Sequence, residues 1–432
     1  MGFQQGLSGV GAAAKQLDVI GNNVANSSTV GFKQSRAEFA DMFAASYYGV
    51  SAVQNGIGAT VQAVAQQMNQ GNINITNNQM DLAISGNGFF ITQTTNGQAY
   101  TRNGQFQVDK DGYIVNNGDK LMGWGVVPDS NPAKMREGEL QTLKVNTDMI
   151  QPVASDGGSA KMVRLTTNLD SRQTVPPAAT PFSTTDPTTY NHSTSATLYD
   201  SLGNPLTLTT YYRKTANNQW DVYARINNPN MATSTAAGSV NPVMLNGGSA
   251  MSLSFNSDGT LSTPAGGSLA FGAYTSIAGA NPLTVTLDIG SGKSGTTQFG
   301  NTFAVNELSQ VGYASAALTG LQVDKTGVIK ARYSNGQTKD IGQVVLANFK
   351  NSQGLQSVGS NRWMETLSSG SPTLNNPGST NVGLVQSGAL EDSNVDLTSE
   401  LVNMITAQRY YQANAQTIKV QDAVMQTLIN LR

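Results

Sequence analysis

The sequence predicts a mainly β chain of the α+β class. Terminal α-helices pair as a coiled coil and frame two nested antiparallel β domains of sandwich or barrel type. Three observations carry this prediction. Apolar residues recur at alternating steps of four and three near both ends. Short runs of alternating apolar and polar residues, broken by Asp/Asn/Gly turns, fill the interior. All 14 prolines lie between Pro128 and Pro377, and twelve of them between Pro128 and Pro282, so neither end holds a helix breaker.

The first helix is read over residues 3 to 24, with a stripe of Phe3, Leu7, Val10, Ala14, Leu17, Gly21 and Val24. Gly2, Gly6, Gly9, Gly11 and Gly21 each cost about 1 kcal/mol against Ala in a helix interior, so this helix needs a partner for its stripe. The second helix is read over residues 396 to 431. Leu397, Met404, Tyr411, Ile418 and Met425 recur every seven residues, beside a partly apolar row of Leu401, Gln408, Ala415, Asp422 and Ile429. Asp396 is the expected N-cap and Glu400 lies in the first turn. The other end of the same chain is the nearest partner for either stripe, and copies of the chain are further ones. Periodicity alone fits equally well two amphipathic helices packed on an ordinary domain.

Between the ends the chain nests. Residues 1–27 and 392–432 form the helical domain, and 28–71 with 364–391 an irregular connector in which Phe32, Phe39 and Phe43 are apolar anchors. The first β domain takes 72–145 and 301–363. It holds two similar hairpins, Phe106–Val108 turning through Asp109-Lys110-Asp111-Gly112, and Leu321–Val323 turning through Asp324-Lys325-Thr326-Gly327. Residues 146–300 are an inserted domain. Its strands alternate clearly at Trp220, Val222, Ala224, Ile226 and again at Leu283, Val285, Leu287, Ile289.

Composition removes several function classes. The 432 residues carry a formal charge of −2, so no basic field suits nucleic acid. Charged residues are 12 %, about half the usual share, and neutral Ser, Thr, Asn, Gln and Gly replace them. With no cysteine, disulfides, thiolate catalysis and Cys-based zinc sites fall away. The single histidine, His192, is read as a solvated loop residue. No signal peptide is read at the N-terminus and no apolar run is long enough for a membrane span, so membrane insertion is not expected.

The motifs that suggest chemistry fail on their spacing. Gly290-Ser-Gly-Lys293-Ser resembles a phosphate loop, yet Leu287 stands where the first glycine belongs and no helix-like stretch follows. Asp109-x-Asp111-Gly112 opens like a calcium loop, but Ile114 and Lys120 replace its glycine and glutamate. Gly86-x-Gly88 precedes a strand, which suits close backbone packing rather than a dinucleotide. No enzyme, cofactor or metal is therefore expected.

Several stretches together resemble the bacterial flagellar rod and hook axial protein family, and within it the hook type. They are GNNVANSSTVGFK at 21 to 33, DLAISGNGFFIT at 81 to 92 and YTRNGQFQVDKDGYIVNNGDKLMGW at 100 to 124. YDSLGNPLTLTTYY at 199 to 212, GQVVLANFKNSQGLQSVGSNRW at 342 to 363 and the final 45 residues from Gly388 continue the likeness. The resemblance implies a structural subunit of the hook, a self-assembling, curved, flexible tube that transmits torque from motor and rod to filament as a universal joint. It implies the chain itself as main partner, with the distal rod, the hook cap, the hook–filament junction proteins and the flagellar export apparatus. It implies a place in the hook and basal body, outside the cell, reached through the type III channel without a cleaved signal.

On that reading Phe3, Leu7, Val10, Leu17 and Val24, with Leu397, Leu401, Met404, Tyr411, Ile418, Met425 and Ile429, are the subunit assembly interface. The terminal helices would line the tube's inner wall, and a head-to-tail interface whose rotation does not close would generate the filament. A distal rod or hook-associated axial protein is the alternative within the family. A secreted β-rich adhesin is the alternative of another class; it accounts for the middle of the chain but not for stripes at both ends.

Overall fold

The computed structural model describes residues 2–42, 56, 58–127, 134–156, 163–177, 179–229, 242–275 and 279–430. Phe43 and most of residues 43–57 lie outside them. The fold is mainly strands between two helices, α1 (Gly2–Ala25) and α2 (Leu397–Asn430). These pack against each other, so the pairing expected of the chain ends is present. The chain divides into two compact units. One holds Met1–Thr147, Thr319–Arg332 and Thr338–Arg432, and the other Asp148–Leu318 with Tyr333–Gln337.

The first unit is built on a 13-stranded sheet. Its main path runs Leu318–Val323, Val328–Tyr333, Thr338–Val344, Asp119–Val126, Phe89–Thr94, Gly97–Thr101, Arg362–Met364, Gln356–Gly359. Chain from both sides of the insertion therefore interleaves in one sheet. Phe89, Tyr100, Trp124, Phe349 and Trp363 share its core. Phe349 meets Tyr100 edge-on at 4.8 Å, and Trp363 meets Phe89 at 5.7 Å, the arrangement aromatic quadrupoles favour. Both indole N–H groups are satisfied, Trp124 by Asn376 Oδ1 at 2.7 Å and Trp363 by Gln66 Oε1 at 2.6 Å.

The two hairpins share one turn chemistry. Asp109 Oδ1 accepts from the N–H groups of Asp111 and Tyr113, and Asp324 Oδ1 from those of Thr326 and Val328. Gly112 and Gly327 close the turns at φ 84° and 79°, a region costly for any residue with a Cβ. Asp109 Oδ1 thus caps the backbone of its own turn.

The second unit is an 11-stranded sheet running His192–Tyr199, Pro205–Ala216, Gln219–Asn227, Met251–Phe255, Thr260–Thr263, Gly292–Thr297, Val163–Asn168, Leu283–Asp288, Ser268–Tyr274. Leu206 and Trp220 from one end of that path share a core with Phe271 and Leu287 from the other. The sheet therefore folds over on itself as a sandwich. Trp220, Val222, Ala224 and Ile226 all point inward, as their alternation requires. The antiparallel rule breaks at Val163–Asn168, which runs parallel to both Leu283–Asp288 and Gly292–Thr297. Gly290 turns at φ 67° into a strand, so no helix N-terminus faces the Gly-Ser-Gly-Lys loop.

Three sequence expectations need correction. The unit extends to Leu318, past the boundary expected at residue 300, because Ala304–Gln310 pairs with Val163–Asn168. Part of the connector is regular: Ser35–Met42 pairs antiparallel with Gly58–Gln66. His192 is not a loop residue; it opens the strand His192–Tyr199 and stacks its ring on Phe303.

Gly104 tests the tightness of the first unit. It is buried, its carbonyl accepts from Leu82 N–H at 2.9 Å, and a Cβ there would run into the Leu82 carbonyl. Neither backbone can yield without breaking that bond. Gly104→Ala is expected to destabilise this unit by about 1–3 kcal/mol, read as a lowered thermal transition. An unchanged transition would show that the strands separate more freely than their register implies.

Candidate assembly surface on the terminal helices

The α1–α2 contact is made by the small side of α1. Gly6, Ala13, Ile20 and Asn23 are buried, one step round the helix from the stripe read in the sequence. A Cβ on Gly6 would lie 3.0 Å from Ile418 Cγ1, and one on Gly9 would lie 2.6–2.8 Å from the Asn414 amide. Two of the glycines that weaken α1 by itself, Gly6 and Gly9, thus let α2 approach closely, while Gly11 and Gly21 face open space. From α2, Ala407 is fully buried, and Met404, Asn414, Ala415 and Ile418 are half-buried.

Asp396 caps α2, its Oδ1 accepting from Thr398 N–H at 2.9 Å and Ser399 N–H at 3.2 Å. Behind the cap lies a buried amide knot. Glu400, only 3 % exposed, accepts from Gln34 Nε2 at 2.6 Å and Asn23 Nδ2 at 3.4 Å. Asn23 also exchanges two bonds with the backbone of Ser35. Asn394 accepts from Gln34 N–H at 2.7 Å and donates to the carbonyls of Gln67 and Asn69.

Below the knot sits Glu391, whose side chain is fully buried. Lys33 Nζ reaches its Oε1 at 2.5 Å and Arg102 Nη1 its Oε2 at 2.9 Å. Gly71 N–H adds a third bond, Lys33 also donates to Asn69 O, and Arg102 to Gly86 O. Burial pushes the Lys33 ammonium below its usual range, with Glu391 opposing and Arg102 adding to the shift. Burial lowers Arg102 in the same way, again opposed by Glu391. One carboxylate serves two cations, so it has no spare charge.

The twelve residues expected at the assembly interface divide into two groups. Val10, Leu17, Val24, Met404 and Ile418 are half-buried in the single chain. Phe3, Leu7, Leu397, Leu401, Tyr411, Met425 and Ile429 are exposed, Ile429 by 69 %. Val402, Ile405, Val420 and Val424 are exposed as well, although the seven-residue reading missed them. Val402 and Ile405 are three apart and Val420 and Val424 four, but fifteen residues separate the two pairs, so no continuous second stripe stood in the sequence. This density of exposed apolar side chains makes the helix pair the candidate interaction surface. No described helix is long and apolar enough to cross a membrane, and no described cluster of His, Asp or Glu could hold a metal.

Four family models match the chain in order: the flagella basal body rod protein at residues 3–33, the flagellar hook protein FlgE/F/G D1 domain at 83–148, the flagellar basal body protein FlaE D2 domain at 168–313 and the flagellar basal body rod FlgEFG protein C-terminal at 386–431. The flagellar hook protein FlgE of Escherichia coli K12 is 40 % identical over the full length of both chains. That of Salmonella typhimurium LT2 is 39 % identical, again over all of both. That of Borreliella burgdorferi B31 is 33 % identical, covering 99 % of this chain and 98 % of its own. The crystal structure of Helicobacter pylori flagellar hook protein FlgE2 shares the fold over 74 % of this chain and all of its own, with a TM-score of 0.53 at 15 % identity.

The charge arithmetic at Glu391 gives a prediction. Glu391→Gln leaves two buried cations without an anion and should cost about 3–5 kcal/mol. Lys33→Met leaves one anion with one cation and should cost distinctly less. Urea denaturation of both variants decides; equal losses would mean that the hydrogen bonds, not the charges, hold the site.

Proposed function

The chain belongs to the flagellar hook protein family, and from that premise we propose that it polymerises with copies of itself through its terminal helices. It is a structural subunit of the bacterial flagellar hook rather than an enzyme. The observation that supports polymerisation is a helix pair that meets at Gly6 and Gly9 within one chain while seven of the twelve apolar residues read as the interface stay exposed. Stacking neighbours around a common axis covers those side chains, and a head-to-tail contact that does not close on itself extends without limit. In this reading the helical ends, 1–27 with 392–432, line the inner wall, and the β units are carried outside it as blocks.

Family membership supports the rest of the proposal. The tube is curved and flexible, carries torque between rod and filament, and meets the distal rod, the hook cap and the junction proteins. Subunits arrive unfolded through the flagellar export apparatus. With charged residues at 12 %, outer contacts are mostly neutral and polar. Such contacts can shift during bending without breaking a buried ion pair.

Two substitutions separate assembly from folding. Leu401 is exposed in the single chain, so Leu401→Asp should change monomer stability by no more than about 0.5 kcal/mol yet abolish tubes in electron micrographs. Ile418 touches the Gly6 position, so Ile418→Asp should loosen the helix pair and abolish tubes as well. Tubes of normal length from Leu401→Asp would remove the helices from the wall. Deleting residues 1–24 or 396–432 should leave a folded monomer that sediments as one species at concentrations where the full chain polymerises.

A further inference from the structure

His192 is the chain's one imidazole, and its surroundings suit only the neutral ring. It begins the strand His192–Tyr199, which lies at the end of its sheet path and pairs only with Pro205–Ala216. Its ring lies 4.5 Å from that of Phe303 with 11° between the planes, and 6.4 Å from that of Trp220 at 25°. Tyr212, its partner in the ladder, packs on the same Phe303 at 5.9 Å. Nε2 is buried and makes no hydrogen bond among the described residues. A neutral ring need leave only a lone pair unpaired there. An imidazolium would put an N–H and part of a positive charge in the same place, at far higher cost.

The neighbouring charges do not relieve that cost. The nearby acid is Asp170, which follows the strand Val163–Asn168. Arg172 already holds both its oxygens, at 2.9 and 3.0 Å, and keeps its carboxyl at about 2. Lys214 lies on the inward face of the neighbouring strand, its Nζ donating to Ser171 O at 2.7 Å and Gln173 O at 2.9 Å. Arg213 and Asp221 alternate to the other face, where Arg213 binds the carbonyls of Pro177 and Thr180 and Asp221 the Ser252 hydroxyl. The segment that carries Phe303, Asn301-Thr302-Phe303, has no charge. One carboxylate, already paired, thus stands against two cations.

We propose that His192 is an acid-operated latch on the edge of the second unit. As a neutral ring it completes the aromatic stack that fastens His192–Tyr199 to the Phe303 segment. Once protonated it leaves the stack, and that edge strand opens. The direction follows from linkage. Burial, only partly offset by Asp170, lowers the proton affinity of the folded state below that of the unfolded chain. The stabilisation is then complete above pH 6.5, the model value for the free ring. Below it the closed-to-open ratio falls, by at most tenfold per pH unit, down to the folded-state midpoint. The first unit contains no histidine and lacks this dependence.

The test uses the full-length chain. Its single imidazole gives one Cε1–H signal, whose titration is expected to have its midpoint below 6.5. Amide exchange of the peptide 192–199 should rise between pH 7 and 5 relative to the same peptide in His192→Phe, by no more than tenfold per pH unit. Phenylalanine keeps the stack and cannot be charged. Where it disturbs folding, His192→Gln replaces it and the same divergence is expected. A midpoint at 6.5 or above, or exchange that changes in parallel in wild type and variant, overturns the latch.

Discussion

Glu391 holds together four stretches of chain that are far apart in sequence. Lys33 comes from the segment after α1, Gly71 from the segment before the first sheet, Arg102 from just past that sheet's strand Gly97–Thr101, and Glu391 itself from the strand returning toward α2. A buried ion group of this kind is poor evidence for stability, since desolvating three charges consumes most of their attraction. What it supplies is position. Charges without water accept few geometries, so the two chain ends leave the β layers from one fixed place. The amide knot of Asn23, Gln34, Asn394 and Glu400 carries that constraint into the first turn of α2. Without it the helices would be free to meet on any face.

The fixed entry explains why α1 turns its small side inward. Gly6, Gly9 and Ala13 give up hydrophobic contact and allow close approach, so the pair is narrow. The larger residues, Phe3, Leu7, Leu401 and Ile405 among them, are then displaced to the outside. A helix pair meant to be stable alone would do the opposite, burying leucine and exposing glycine. The arrangement agrees with the proposal that other copies cover the outer face.

Features set by local chemistry were legible in the sequence. The Asp-x-x-Gly turns, the Asp396 cap and the Trp220–Ile226 alternation each depend on a few adjacent residues and came out as read. Features set by distant partners were not. The face of α1 that meets α2 depends on Asn414 and Ile418, some 400 residues away along the chain, and on glycines that look like defects in a helix. The pair Ser35–Met42 and Gly58–Gln66 has no buried residue, so its alternation carries no burial signal. The strand Ala304–Gln310 looked like part of the first domain because nothing local ties it to Val163–Asn168. Of the charged site, Lys33, Arg102 and Glu391 are ordinary residues until the fold removes water from all three.

The division of stability suits a subunit that must stay folded with part of its surface uncovered. Each unit closes its own core, one around Phe89, Trp124 and Trp363 and the other around Trp220, Leu206 and Leu287. Neither core includes a residue from α1 or α2. The packing of either cluster therefore does not run through the helix pair. The dense cores hold the strands of each unit, while glycine at positions 6 and 9, costly to α1 by itself, is what admits α2.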